Sequence, residues 1–226
     1  MPKVPVITID GPSGAGKGTI AHRLATYLSW QLLDSGALYR VVAHACQLER
    51  VSLGIVADVA KVAETLEVEF VTQIGKQVLI YYQGKDISSK VRTEQAGAEA
   101  SKIASIPAVR TALLERQRAF LSPPGLVADG RDMGTTVFPD AGLKIFLIAS
   151  VQERAGRRYK QLINKGESVS LANLFEDIQA RDERDRNRTI SPLIAAEDAL
   201  HIDSTGLSIQ TVFEKVLVEA SKRKLL

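Results

Sequence analysis

The sequence predicts an α/β fold in which strands of a parallel sheet alternate with helices, and three observations carry that prediction. Short runs at Val4–Ile9, Gln31–Asp34, Leu126–Asp129, Leu143–Ala149 and Leu200–Asp203 read as strands, most of them apolar enough to be buried on both faces. Stretches of helical period separate them. The first strand runs into Gly11-Pro12-Ser13-Gly14-Ala15-Gly16-Lys17-Gly18-Thr19, and an amphipathic helix follows over Thr19–Leu28. In a strand–loop–helix setting, G-x-x-x-x-G-K marks a phosphate-binding loop.

The chemistry of that loop follows from its residue types. Glycines let backbone N–H groups turn inward toward phosphate oxygens, and the helix N-terminus adds the positive end of its dipole. Lys17 supplies a point charge for the β- and γ-phosphates. Gly18 stands where a magnesium-binding Ser or Thr usually follows the lysine, with Thr19 one place later. This variant resembles the loop of nucleoside monophosphate kinases, in which phosphates and water hold most of the metal's coordination.

The remaining elements are expected in order. A helix starts at Ser35 or Gly36 and reaches about Glu49, and Ile55–Leu66 reads as another. The period then changes: Val68–Thr72 and Gln77–Tyr82 are β-rich runs around a hairpin turn at Gln73-Ile74-Gly75-Lys76, with a second turn at Gly84-Lys85-Asp86. This antiparallel patch interrupts the alternation and reads as an insert. Helices resume over Thr93–Ala104, Ala108–Phe120, Gln152–Lys165 and Leu171–Asn187. The last runs from an N-cap at Ser208 to Lys224.

Composition excludes several classes. The 226 residues are 45 % hydrophobic and 24 % charged, as in ordinary globular proteins, and suit one domain with an inserted lobe. The net charge of +3 comes from interleaved acids and bases, without the concentrated basic excess of a nucleic-acid binder. The single cysteine, Cys46, lies in an apolar helical run and reads as a core residue. No signal-type apolar region and no run of the roughly 20 residues needed to span a bilayer is found, so a cytoplasmic protein free of membrane is expected.

Three further segments carry candidate chemistry. Asp34-Ser35-Gly36-Ala37-Leu38-Tyr39-Arg40 ends the second strand, at the edge where open α/β sheets bind ligands. Alone, it reads equally as an Asp34 or Ser35 N-cap followed by a solvated Arg40. Ala128-Asp129-Gly130-Arg131-Asp132-Met133-Gly134 ends the third core strand on Asp129, as the metal-organising aspartate does in many P-loop proteins. Arg181-Asp182-Glu183-Arg184-Asp185-Arg186-Asn187-Arg188 places Arg181, Arg184, Asp185 and Arg188 on one helical face. Such a run is also compatible with a solvated, salt-bridged helix. Planar guanidinium groups suit the negative charge that two nucleotides bring to one cleft. Arg154, Arg157 and Arg158 extend that supply.

Together these four motifs resemble those of the bacterial-type cytidylate kinases, and the likeness covers essentially the whole chain. It implies the P-loop nucleoside monophosphate kinase fold: a five-stranded parallel sheet of order 2-3-1-4-5 in one domain, 1–226. The core comprises about 1–54, 105–152 and 189–226, with a monophosphate-binding lobe at about 55–104 and a short helical lid at about 153–188. The implied reaction moves the γ-phosphoryl group of ATP to CMP or dCMP, with Mg²⁺ as cofactor. By the same likeness, residues 11–19 with Arg157 and Arg158 bind ATP. The base meets Ser101, Arg110 and Asp132, the ribose Asp185 and Arg181, and the acceptor phosphate Arg40, Arg131 and Arg188, with Ser35 beside them. Lys17, Asp129, Arg131 and Arg188 carry the catalysis. The resemblance further implies a monomer using only small-molecule substrates. Kinases acting on UMP or shikimate lack the reason for a base-directed Arg110 and Asp132, and a GTP switch would need an N-K-x-D motif that the sequence does not contain.

Overall fold

A computed structural model describes residues 4–71 and 78–226. In chain order, β1 (Val6–Asp10) leads through the glycine-rich loop to α1 (Lys17–Leu28), and β2 (Gln31–Asp34) passes directly into α2 (Ser35–Leu48). Next come α3 (Val56–Glu64), β3 (Val68–Val71), β4 (Leu79–Tyr82), β5 (Lys85–Asp86), α4 (Ser88–Val91), α5 (Glu94–Ile103) and α6 (Pro107–Arg118). The chain continues as β6 (Leu126–Gly130), a single π-helical turn at Met133–Val137, β7 (Leu143–Ile148), α7 (Val151–Ile163), α8 (Leu171–Arg186), β8 (Leu200–Asp203) and α9 (Ile209–Lys222).

The core sheet runs β2-β6-β1-β7-β8 with every pair parallel. Counted among its own five strands, that is the expected order 2-3-1-4-5. The chain reverses direction across the sheet at β1, so the crevice for a ligand lies beyond the strand C-termini, at Asp10, Asp34 and Gly130. All five residues of β1 are buried because helices cover both faces. On one face Leu33, Leu38, Val41 and Leu113 pack with Leu126 and Met133. On the other, Ile20 and Leu24 of α1 and Val212 and Val216 of α9 meet Ile7, Ile9 and Leu147. Cys46 is in the first core, as expected, and burial pushes its thiol up to about 11.

A second, antiparallel sheet of β3-β4-β5 forms the insert. The turn expected at Gln73–Lys76, with its flanking Thr72 and Gln77, lies outside the described residues. The turn expected at Gly84-Lys85-Asp86 is corrected: Lys85 and Asp86 pair with Tyr82 and Tyr81 as a third strand. The reversal is made instead by Gln83 and Gly84, at φ 48° and 71°. Two positive φ values match the twist of the flanking strands, whereas the sequence advertises only the glycine. The short α4 and the π-helical turn have no periodic signal and were not expected. Caps follow the reading more closely, with Ser208 accepting from Thr211 N and Asp34 from Ala37 N.

Gly11 shows how tightly the loop leaves the sheet. Its φ is 147°, and an added Cβ would lie 2.0 Å from the Leu147 carbonyl oxygen in the neighbouring strand. Gly11→Ala is therefore expected to destabilise the fold by at least about 2 kcal/mol through backbone displacement and strain. Thermal melting checks it, and an unchanged Tm would contradict this packing.

Candidate active site

The phosphate loop is held open by its glycines. Gly14 and Gly16 take φ of 79° and 99°, and Gly16 is the N-cap of α1 without any side-chain cap bond. The first amides of α1 therefore remain available to an anion. Lys17, the first residue of α1, is 5 % exposed; its Nζ donates to Pro12 O at 2.9 Å and lies 3.9 Å from Asp129 Oδ1. Burial, then the positive Arg131, pull its pKa down to about 7. Burial pushes Asp129 up to about 6 against the pull of Lys17. Residues 13–19 line a cavity of about 520 Å³ together with Asp34, Arg40, Asp129, Arg131, Arg157, Arg158 and Arg181. That volume is in the range of nucleotide-sized ligand sites. Gly11 and Pro12 stand behind the loop, one against β7 and the other accepting from Lys17.

Asp34 and Asp129 stand in register at the ends of β2 and β6. Asp129 Oδ2 would be 3.2 Å from a Cβ on Gly18, so this oxygen overhangs the loop where Gly18 replaces a hydroxyl residue. Two carboxylates beside a phosphate site fit a magnesium ion that keeps phosphate and water ligands. Among the described residues no group of three His, Cys, Asp or Glu side chains forms a dedicated cage.

Behind Arg131 a narrower cavity of about 50 Å³ is lined by Ser35, Tyr39, Ser101, Arg110, Arg131, Asp132, Arg181, Asp185 and Arg188. These come from six separate segments. Ser101 Oγ, Tyr39 Oη and the Nε atoms of Arg110, Arg181 and Arg188 are buried there without hydrogen-bond partners among the described residues. Orphaned polar atoms converging on one space are the signature of a polar ligand site, because each costs about 1–3 kcal/mol while unpaired. Arg110 Nη2 pairs with Asp132 Oδ2, Nη1 donates to Ala104 O at 3.2 Å, and the guanidinium lies 5.8 Å from the Tyr39 ring centre. Asp185 is fully buried and accepts from Arg131 Nε at 2.9 Å and from Arg188 Nη2. Burial would raise its pKa, but Arg131 and Arg188 outweigh it and hold the carboxyl below the usual range. Asp185 favours the charged form of Arg181 too, but burial and then Arg131 outweigh it and pull Arg181 down to about 9. Four arginines against two aspartates give this cavity an excess of positive charge that suits an anion.

The helical face expected for Arg181, Arg184, Asp185 and Arg188 is corrected at Arg188. Helix α8 ends at Arg186, so Arg188 reaches the cavity from beyond the helix. Arg184 and Arg181 together line a neighbouring cleft with Arg40, Glu94 and Arg158. Arg40 donates to Val91 O and Thr93 O at 2.9 and 3.0 Å and packs flat on Gly97, where a Cβ would come within 2.9 Å of its Nη2. Arg157 donates to Ser204 O at 2.6 Å, with Ala15 O 3.4 Å away. Arg158 pairs with Glu94, joining α7 to α5. Ser35 Oγ donates to Gln117 Oε1 at 2.8 Å.

Several residues of the site had not been singled out. Tyr39 lies inside a quoted motif, and its unpartnered hydroxyl could have been suspected only from burial. Asp10 accepts from Met133 N and Gly134 N, both at 2.8 Å, and so anchors the turn that follows Asp132 to the end of β1. Burial pushes it up to about 7. Its position before Gly11 is a signal in hindsight, since an acid closing an apolar strand needs partners.

Comparison with known proteins places this arrangement. The chain is 54 % identical to the cytidylate kinase of Stutzerimonas stutzeri (strain A1501), over 98 % of this chain and 97 % of that one. It is 54 % identical to the cytidylate kinase of Pseudomonas putida (strain W619), over 99 % and 98 %. Against that of Pseudomonas savastanoi pv. phaseolicola (strain 1448A / Race 6) the identity is 56 %, over 98 % and 97 %. The cytidylate kinase family model matches residues 7–222, and with near-complete coverage by these relatives the chain belongs to the cytidylate kinase family.

Proposed function

We propose that this protein transfers the γ-phosphoryl group of ATP to CMP or dCMP, giving ADP and the nucleoside diphosphate. One observation carries the reading: the phosphate-loop cavity adjoins a pocket in which Ser101 Oγ, Tyr39 Oη and the Nε atoms of Arg110, Arg181 and Arg188 are buried without hydrogen-bond partners among the described residues. ATP lies along residues 11–19, with Arg157 and Arg158 reaching its phosphates once they leave Ser204 and Glu94. CMP enters the narrower cavity, its base toward Ser101, Arg110 and Asp132 and its phosphate toward Arg40, Arg131 and Arg188, with Ser35 alongside. Arg181 and Asp185 hold the ribose, and Asp185 also orients two of the phosphate-gripping arginines.

The acceptor is a phosphate oxygen that is already an anion, so no strong general base is needed. Catalysis is in-line positioning together with charge neutralisation by Lys17, Arg131 and Arg188. Asp129 would help hold a magnesium ion brought with ATP, and the ion would supply further neutralisation of developing charge. The lobe at 55–104 and the lid at 153–188 close over the substrates and exclude water, which would otherwise take the phosphoryl group. The resemblance to cytidylate kinases is the support for placing the protein in the cytoplasm as a monomer; separately, among the described residues no helix is long and apolar enough to cross a membrane.

A coupled ADP-release assay with a panel of nucleoside monophosphates tests this. CMP and dCMP are expected to be turned over in preference to UMP, AMP and GMP. A purine preference, or no accepted monophosphate, would overturn it.

A further inference from the structure

The most buried ion pair among the described residues touches neither cavity's centre. Arg154 on α7 and Asp182 on α8 have side chains only 1 % and 2 % exposed. Arg154 Nη1 donates to Asp182 Oδ1 at 3.0 Å, and Nη2 donates to Oδ2 in parallel. The same Nη1 donates to Ser13 O at 2.9 Å, and Nε to Ala149 O at 3.0 Å. One guanidinium thus ties three segments together: the phosphate loop, the end of β7 and helix α8. Contact with the loop is close, since a Cβ on Gly14 would lie 3.1 Å from Arg154 Cβ. On α8, Asp182 lies between Arg181 and Asp185, the two residues of that helix that line the narrow cavity.

We propose that Arg154 and Asp182 form a positioning bridge, which fixes the phosphate loop relative to the helix carrying Arg181 and Asp185 and so sets donor and acceptor phosphates in line. This rests on the phosphotransfer reading above. Two physical points support it. A buried ion pair adds little net stability over well-packed apolar residues of similar volume, so its presence calls for a geometric reason. A planar, bidentate fork also fixes orientation as well as distance, which a point charge does not. The bridge belongs to neither substrate site, so its loss should act on the ternary complex. Exposed Arg186, 3.9 Å from the same carboxylate, adds only a solvated contact.

The test is the double variant Arg154→Met with Asp182→Leu, which removes both charges together and leaves no buried ion unpaired. Melting near that of wild type is expected, with KM for ATP and for CMP each within about 3-fold. A misplacement near 1 Å costs up to about 10²-fold in rate, so kcat is expected to fall by about 10- to 100-fold. The ratio of futile ATP hydrolysis to transfer should rise. Unchanged kcat in the folded double variant would overturn the bridge. Arg154→Lys, which keeps the charge but not the fork, serves if the double variant does not fold: kcat should drop with both KM values held, and near-normal kcat would likewise overturn the proposal. Should wild type phosphorylate no nucleoside monophosphate, the functional reading fails instead. The bridge is then judged by amide hydrogen exchange at Ser13–Gly18, which should quicken in the variants; unchanged exchange would refute it.

Discussion

Lys17→Ala is expected to lower kcat by about 10²–10³-fold while the protein remains folded, because an aimed charge in a closed site stabilises charge that develops in the transition state. Steady-state kinetics alongside thermal melting checks this, and near-normal turnover would remove Lys17 from the reaction. The lysine should also leave a mark on binding. Burial, reinforced by Arg131, lowers its pKa in the folded protein to about 7, below the 10.5 of an ordinary lysine. Between about pH 7 and 10.5 the unfolded chain therefore binds more protons at this residue than the native one, so its contribution to stability rises with pH across that window. A triphosphate beside Nζ restores the charged form. At pH 8, ATP binding is expected to take up a proton through Lys17, read as a buffer-dependent binding enthalpy. That uptake should vanish in the alanine variant, and equal uptake in both proteins would assign it to another group.

Discrimination against uracil is the second large effect. Cytosine presents an exocyclic amine donor beside two acceptors, whereas uracil presents an acceptor beside an N–H donor. In the narrow cavity the Asp132 carboxylate is paired with Arg110, and both are almost fully buried. That pair complements cytosine and opposes the O4 of uracil. About two mismatched buried groups at ~1–3 kcal/mol each predict a CMP-over-UMP preference of at least ~10²-fold in kcat/KM. Asp132→Ala should shrink the ratio mainly by damaging CMP. Asp132→Asn should shrink it further, since an amide can turn to donate to O4. Kinetics of the three proteins on both nucleotides decides it; a ratio unchanged in both variants would show that Asp132 does not read the base.

Lys17 could be found in the sequence by locality, whereas the pairing of Asp132 with Arg110, 22 residues away, was implied only by the family resemblance. The phosphate loop, the strand carrying Asp129 near its end and the N-cap at Ser208 are each specified by residues within a few positions of one another. The turn at Gln83–Gly84 was misplaced because only one of its two positive-φ residues is a glycine. Helix α8 ends at Arg186, so Arg188, which continues the helical period in the sequence, reaches the cavity from beyond the helix.

By itself the sequence determined the alternation of strands and helices, the loop that receives phosphate and the residue types gathered around it. Periodicity and turn chemistry act between near neighbours, so one chain suffices to show them. Tertiary structure alone decided which of three similar arginines does what. Arg154, Arg157 and Arg158 stand within five residues on one helix. Packing sends the first inward to Asp182, 28 residues away, and to Ser13, 141 residues away. It leaves the second at Ser204 and the third at Glu94. Desolvation drives that sorting: a guanidinium can be buried only where the fold brings several acceptors to it, and these acceptors lie on segments far apart in the chain.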